Sequence, residues 1–392
     1  MKLNHGRHLA YCTNIHRGDT WPETFQSLQN HTLAVREKVA PHEPFAIGLR
    51  LGERAAVELS QRDRLLEFQR WLEKNSCYIF TINGFPYGPF HGTPLKEQVY
   101  RPDWTSPERG AYTNRLFDLL AQLVPAGMEG SVSTLPGSFK EFQPSDEALK
   151  AIRDNIWRTV EHIANLSQQT GKTLHLGLEP EPLCLLETSA ETLRFFDHLR
   201  AEHPQDARLA QHLGVNYDTC HFAVEFEEPQ NALLSLVHHG IRISKIHLSS
   251  ALKVSPTAHA RAELIKFSDA VYLHQVVTRD KTGNRKIFRD LPAALAFAHS
   301  QSSFPETQSE EWRIHFHVPL HAPAAPPFEN TNDHLLGVLD LLTLNPQLCS
   351  HLEMETYTWE VLPPELKAQS VVDQLAAEYG WTLAELARRA LA

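Results

Sequence analysis

Short apolar runs alternate with longer amphipathic stretches over most of the chain, and each predicts one kind of element. His8 to Asn14 (HLAYCTN), Phe45 to Leu51 and Tyr78 to Asn83 (YIFTIN) read as the first three strands. Between them, Thr20-Trp21-Pro22-Glu23 opens a helix with Thr20 as N-cap and Pro22 in the first turn, and a second helix covers Arg62 to about Lys74. A helix over Pro107 to Leu123 leads into strand four, Gly130 to Thr134. The next helix is the clearest: Ser145 caps it and Asp146 and Glu147 favour its positive end. Leu149, Ile152, Ile156, Val160 and Ile163 follow at spacings of three and four, and Gly171 stops it. Strand five (Thr173 to Glu179), a helix near Ala190 to His203, strand six in Leu213 to His221 (LGVNYDTCH), a helix near Asn231 to His239 and strand seven (Ile243 to Ser249) continue the alternation.

The regularity then fails. Tyr272 to Thr278 and Arg285 to Arg289, joined through Lys281-Thr282-Gly283-Asn284, predict a hairpin, and Trp312 to Leu320 predicts another strand. With His351 to Glu355 (HLEME) this leaves one barrel-length strand too many, and Trp312 to Leu320 is the expected addition. His321 to Pro327 reads as a loop, Thr331 to Leu344 as a helix, and Gln301 to Glu310 as a mobile loop. After Leu362-Pro363-Pro364 a pair of helices is expected, the second opened by a capping box of Thr382 and Glu385. Alternating strands and helices imply a parallel sheet, and eight such units close into a barrel. The predicted fold class is therefore α/β, a (β/α)8 TIM barrel forming one domain over residues 1–392. It carries an insertion between strands seven and eight (approximately 252–330) and a helical extension (approximately 363–392).

Charge and cysteine usage narrow the functional classes. The net charge of -10, from 37 basic and 47 acidic residues, opposes a role in gripping nucleic-acid backbones, which draws on clustered Lys and Arg. Cys12, Cys77, Cys184, Cys220 and Cys349 are an odd, widely spaced set without a CxxC pair, so buried free thiols in a reducing cytosol are expected. The start, MKLNHGRHLAYCTN, has no hydrophobic leader pattern and no run is long enough to span a membrane, which predicts a soluble cytoplasmic protein.

Candidate chemistry sits at strand ends. Strands five to eight end in or carry Glu179, Asp218, His247 and Glu355, and in a barrel the C-terminal strand ends converge on one mouth. Three carboxylates and one imidazole suit a single divalent ion: Mn²⁺, Mg²⁺ or Co²⁺, with Zn²⁺ tolerated. The alternative is that Asp218 only caps the turn that follows it. Such an ion would polarise a substrate hydroxyl or carbonyl and stabilise an enediolate while Glu179 and Glu355 move protons, and His221 would orient a substrate oxygen. Glu353 and Glu355 share a strand face, so either could reach the metal; the same parity places Lys245 beside Glu353, where the two are expected to pair. Arg50 faces either an anionic substrate or a barrel carboxylate. Phe85, Tyr87 and Phe90 form a lid or a packed loop, and Tyr357 and Trp359 are expected to pack under a loop. His315 and His317 share a face and either bind metal or hydrogen-bond within the core.

A Glu ending strand five, an Asp-Thr-X-His turn after strand six, a His on strand seven and a Glu on strand eight resemble the xylose isomerase-like barrel superfamily of sugar epimerases, inosose dehydratases and endonuclease-four type enzymes. More narrowly, AYCTNIH, GLEPEP and METYTWEVLP resemble the EboE family, the barrel member of the ebo metabolite-traffic cluster. The resemblance implies metal ligation by Glu179, Asp218, His247 and Glu355, with His221 a substrate ligand or part of a second metal site. It implies a substrate contact for Lys253 in the loop after strand seven, where epimerases carry a basic side chain, and an acidic partner at Glu181 or Glu187. The endonuclease group's three zinc ions would call on His91 and His315-Phe316-His317. Three functions follow as expectations: an isomerase or epimerase acting on a small polyhydroxylated metabolite such as a sugar or cyclitol, a metal-dependent phosphoesterase, or a metabolite-binding barrel without catalysis. Substrate, native metal and oligomeric state are not legible in the sequence.

Overall fold

The protein is described by a computed structural model covering residues 1–89, 95–269, 271–300, 309–322, 325–362 and 370–392. Seven strands come first: β1 (His8–Tyr11), β2 (Phe45–Arg50), β3 (Cys77–Asn83), β4 (Gly130–Thr134), β5 (Leu174–Leu178), β6 (Leu213–Asp218) and β7 (Arg242–Leu248). Five more follow: β8 (Ala251–Val254), β9 (Val276–Asp280), β10 (Arg285–Phe288), β11 (Ser309–His317) and β12 (Phe328–Asn330); β13 (His351–Met354) is the last. β1 to β7 and β13 form one eight-stranded parallel sheet in the order β1-β13-β7-β6-β5-β4-β3-β2. A parallel bridge between Cys12 and Gly48 joins its two ends. The chain is thus a (β/α)8 TIM barrel whose strands are buried almost throughout, because helices cover their outer faces.

The helices begin and end where the local chemistry dictates. Thr20 and Glu23 form a reciprocal capping box at Trp21–Ser27. Ser145 accepts from the amide of Ala148 at the head of Asp146–Thr170, and Gly171, at φ +67°, ends that helix in the left-handed region open to glycine. Its buried stripe, Ile152, Ile156, Val160 and Ile163, packs into the main core. A short helix, Glu53–Leu59, was not foreseen; its alanines and Leu59 face the core. The C-terminal pair of helices is a correction: Val371–Ala387 is one continuous helix. Leu375, Tyr379, Thr382 and Leu386 keep one buried face in phase through Gly380, and the Thr382 hydroxyl donates to Met354 Sδ (3.1 Å), so it has no helix end to cap.

β8 to β12 build a second, antiparallel sheet in the order β10-β9-β11-β8-β12. The expected hairpin is β9–β10, and the surplus strand is β11, outside the barrel as the strand count required. Leu252, Val276, Trp312, Ile314 and Phe316 give this sheet its own core beneath the helices Ala258–Leu264 and Leu291–Ser300. Residues 301–308 of the expected mobile loop lie outside the described residues. No described helix is long and apolar enough to cross a membrane, and all five cysteines are free and buried.

Inside the barrel the packing is polar and tight. A Cβ added at Gly48 would lie 2.6 Å from the carbonyl oxygen of Tyr11 and 1.9 Å from Glu353 Oε1. Gly48→Ala should therefore lower stability by about 1–3 kcal/mol through overpacking at the barrel seam, measured by urea denaturation.

Candidate metal centre

Parallel register places the four strand-end groups together. Asp218 and His247 are direct partners on β6 and β7, Glu179 follows β5, and Glu355 follows β13. His247 Nδ1 lies 2.9 Å from Glu179 Oε1, 3.0 Å from Glu355 Oε2 and 3.4 Å from Asp218 Oδ2. One ligand atom from each residue lies within 4.8 Å of all the others, and all four residues are buried. Asp218 Oδ2 accepts no hydrogen bond. Three buried carboxylates facing one imidazole nitrogen, one with an oxygen left over, form a donor set that fits a divalent cation.

Each of these groups is held from behind. His247 Nε2 faces Glu353 Oε2 at 2.8 Å, and that carboxylate is paired with Lys245 Nζ at 2.5 Å. The Lys245 ammonium also donates to Ser133 Oγ. The Glu353 carboxylate favours the proton on Nε2 and turns Nδ1 toward the ligand group, the support that metal-binding histidines usually have. Between the two glutamates of the last strand, the structure thus sets Glu355 among the ligand atoms and Glu353 beneath them. Glu355 Oε1 accepts from Asn14 Nδ2 (2.7 Å) and Asn83 Nδ2 (3.2 Å), leaving Oε2 for the centre. Asp218 caps the turn through Oδ1, which accepts from the amides of Cys220 and His221 and from Ser249 Oγ, while Oδ2 lies among the candidate ligand atoms. Asn14 and Asn83 escaped the sequence reading, although Asn83, a polar residue closing an apolar strand, carried the same signal as the four candidate ligands.

Burial and mutual repulsion split the carboxyl groups. Burial, aided by the charges of Glu179 and Asp218, pushes Glu355 up to about 7 against the pull of His247. Burial also opposes ionisation of Glu179, but His247 and His221 outweigh it and hold that carboxylate below its ordinary range. Burial works against Asp218 too, yet His221 and His247 hold it well below the ordinary value. The His247 imidazole is raised well above its usual value, because Glu355 and Glu179 overcome its desolvation.

Above the centre lies a narrow cleft enclosing about 60 Å³, lined on its polar side by Glu179, Glu355, Glu181, His221 and His315. Glu181 accepts from the Tyr100 hydroxyl at 2.6 Å, and burial raises it to about 7. Glu187 instead pairs with Lys140 outside the cleft. A second cluster adjoins the first: Asp218, His221 and His317 offer ligand atoms within 4.8 Å of one another, as do Cys220, His315 and His317. Nδ1 of His221, His315 and His317 each meets an oxygen, that of Pro180 O, Gln275 Oε1 and Glu355 O respectively. Nε2 of His315 and of His317 is buried without a partner.

Other expected site residues lie elsewhere. Arg50 faces neither a barrel carboxylate nor the cleft: its guanidinium donates to the carbonyls of Gly18, Pro86 and Gly88 and so anchors the loop after β3. Lys253 is on strand β8 rather than in a loop, and the antiparallel pairing of that strand turns its ammonium to Glu329 (3.2 Å) and Asp333 (3.8 Å). Phe85 and Tyr357 line the cleft, whereas Tyr87 packs against Tyr112 and Trp359 against both cores. Phe90 and His91 lie outside the described residues.

No family model and no curated protein matches the chain. Among solved structures, one described as L-ribulose 3-epimerase aligns with a TM-score of 0.51 and 12% identity, covering 99% of this chain and 96% of that one. A xylose isomerase-like TIM barrel protein from Mycobacterium smegmatis in complex with magnesium aligns with a TM-score of 0.51 and 13% identity, covering 99% of both chains. At these identities the likeness shows the fold alone, a (β/α)8 barrel.

The Glu353 support makes two predictions. Glu353→Gln should weaken Mn²⁺ affinity ~10–100-fold by isothermal titration calorimetry. Lys245→Met leaves Glu353 buried without its cation and should cost roughly 3–5 kcal/mol in chemical denaturation. Glu353 itself is held down at about 2: burial opposes this, but Lys245 and His247 prevail. With its folded value depressed, its stabilising contribution is complete above the ordinary carboxylate range and is lost as pH falls toward 2; Lys245→Met should remove that part of the acid-unfolding profile.

Proposed function

We propose that the chain is a metal-dependent isomerase or epimerase acting on a small sugar-like metabolite by proton transfer at carbon. The supporting observation is the pair Glu179 and Glu355, two carboxylates from the ends of different strands that share one histidine nitrogen and open on one cleft, a placement from which one can take a proton from a bound substrate and the other can deliver one. Glu179, Asp218, His247 and Glu355 would hold one divalent ion, which when bound polarises a substrate oxygen and acidifies the adjacent C–H bond. Glu179 would accept the proton from that carbon while the electron pair of the broken C–H bond remains on the substrate, Glu355 would pass a proton drawn from solvent back to carbon, and Glu179 would release its own to solvent. His221 orients a substrate oxygen at the rim.

The phrases AYCTNIH, GLEPEP and METYTWEVLP favour an EboE-type barrel serving metabolite traffic, and the buried thiols suit a reducing cytoplasm. A second reading, metal-dependent phosphoester hydrolysis, draws on the adjoining Asp218–His221–His317 cluster. It requires more than one ion per chain, so saturation at a single ion would remove it.

Metal-loaded protein should incorporate solvent deuterium at the carbon beside the carbonyl of a ketose in a panel followed by NMR. Glu179→Gln and Glu355→Gln should each slow exchange by about 10²–10⁴-fold, and chelation should abolish it. Full metal occupancy with no exchange across the panel would leave only the binding role. Because Glu355 retains its proton to about pH 7, metal binding below that pH must displace it. Affinity should rise with pH up to about 7, with proton release that calorimetry in buffers of different ionisation enthalpy will detect.

A further inference from the structure

The barrel has a second opening, at the end away from the candidate metal centre. A cavity of about 850 Å³ lies there, at the starts of the strands, and its volume is in the range of small-molecule sites. His175, near the start of β5, and His351, at the start of β13, line it. Strand parity accounts for their direction: His351 is two residues before Glu353 and His175 four before Glu179, so both side chains project into the barrel. Their ring centroids are 5.4 Å apart, and each residue is only 1% exposed.

Polar atoms buried this deeply are normally hydrogen-bonded, and these are not. His351 Nδ1 lies 2.8 Å from Ser131 Oγ, and that hydroxyl gives its one proton to Thr81 Oγ1 (2.8 Å). The proton of the neutral His351 ring is therefore on Nδ1. Its Nε2, buried without a partner among the described residues, is a bare acceptor. Neither nitrogen of His175 has a hydrogen-bond partner among those residues. Glu129 Oε2, 3.5 Å from His175 Nε2, favours the proton on that nitrogen and leaves Nδ1 as a second acceptor. Burial holds both imidazoles below their ordinary value, so they are neutral at pH 7. Donors line the same cavity: Lys2, and Arg242, which commits Nη1 to Glu129 at 3.1 Å.

A ligand has to match both kinds of group. An anion would set its oxygens against the imidazole lone pairs, and a cation would meet Arg242 and Lys2. A hydroxyl both donates and accepts, and so suits the whole lining. We propose that this end of the barrel is a second binding site, for an uncharged polyhydroxylated molecule whose hydroxyls donate to His351 Nε2 and His175 Nδ1 and accept from Arg242. The site is separate from the metal centre and independent of it: along β13 the buried Glu353, paired with Lys245, lies between His351 and Glu355.

Calorimetry on the full chain, Mn²⁺-loaded and again after chelation, tests this with myo-inositol and maltose as neutral probes and inorganic phosphate and putrescine as charged ones. At least one neutral probe should bind about tenfold more tightly than either charged one, and equally well after chelation. His351→Asn keeps an amide nitrogen near the Nδ1 position for Ser131 but removes the Nε2 acceptor, and should weaken that binding about tenfold. Ala126→Trp, an exposed substitution at the rim, should also weaken it while the urea unfolding midpoint stays unchanged; it carries the test should His351→Asn fail to fold. No binding of either neutral probe, tighter binding of phosphate or putrescine, binding that disappears on chelation, or binding that both substitutions leave unaltered would each overturn the assignment. The chelated protein carries the measurement, so its outcome is independent of the isomerase reading.

Discussion

The His247 imidazole, clamped along the barrel axis, is the contact on which the rest of the site depends. One ring nitrogen faces Glu353, itself neutralised by Lys245, and the other faces three carboxylates. Burying four carboxylates so close together would be prohibitively expensive in a low-dielectric interior unless positive charge sat among them. Lys245 supplies part of it, and the donor set around Nδ1 fits a divalent ion that would supply the rest. The glycine at position 48 follows from the same arrangement, because any side chain there would occupy the volume of the Glu353 carboxylate.

The insertion completes the cleft. A bare barrel mouth would leave the acidic floor open to water, which weakens every charge interaction within it. The second sheet, with its own apolar core, carries His315, His317, Gln275 and Tyr272 over the mouth, and Lys96 ties it to the loop after β3. The barrel thus provides the charged floor, and the insertion provides a roof with a different chemistry.

Such a division explains which parts of the site were hard to read. Glu179, Asp218, His247 and Glu355 all obey one rule, a polar group where an apolar strand stops, and strand parity alone placed Lys245 against Glu353. Lys253 was misplaced because a further strand, β8, begins after only two intervening residues and joins the second sheet, which no local pattern marked. Arg50 was misjudged because its partners are backbone carbonyls, and these carry no signature in sequence.

By itself the sequence determined the alternation of strands and helices, the surplus strand outside the barrel and the four side chains at its mouth. These follow from periodicity and from the handed, parallel connection of strands, which act locally and leave few topologies. Only the tertiary structure decided which oxygen of Asp218 turns inward, which nitrogen of His247 does, how the roof is fastened, and that the C-terminal helix runs unbroken past Thr382. Each of those depends on partners distant in the chain, whose positions are fixed only once the barrel has closed.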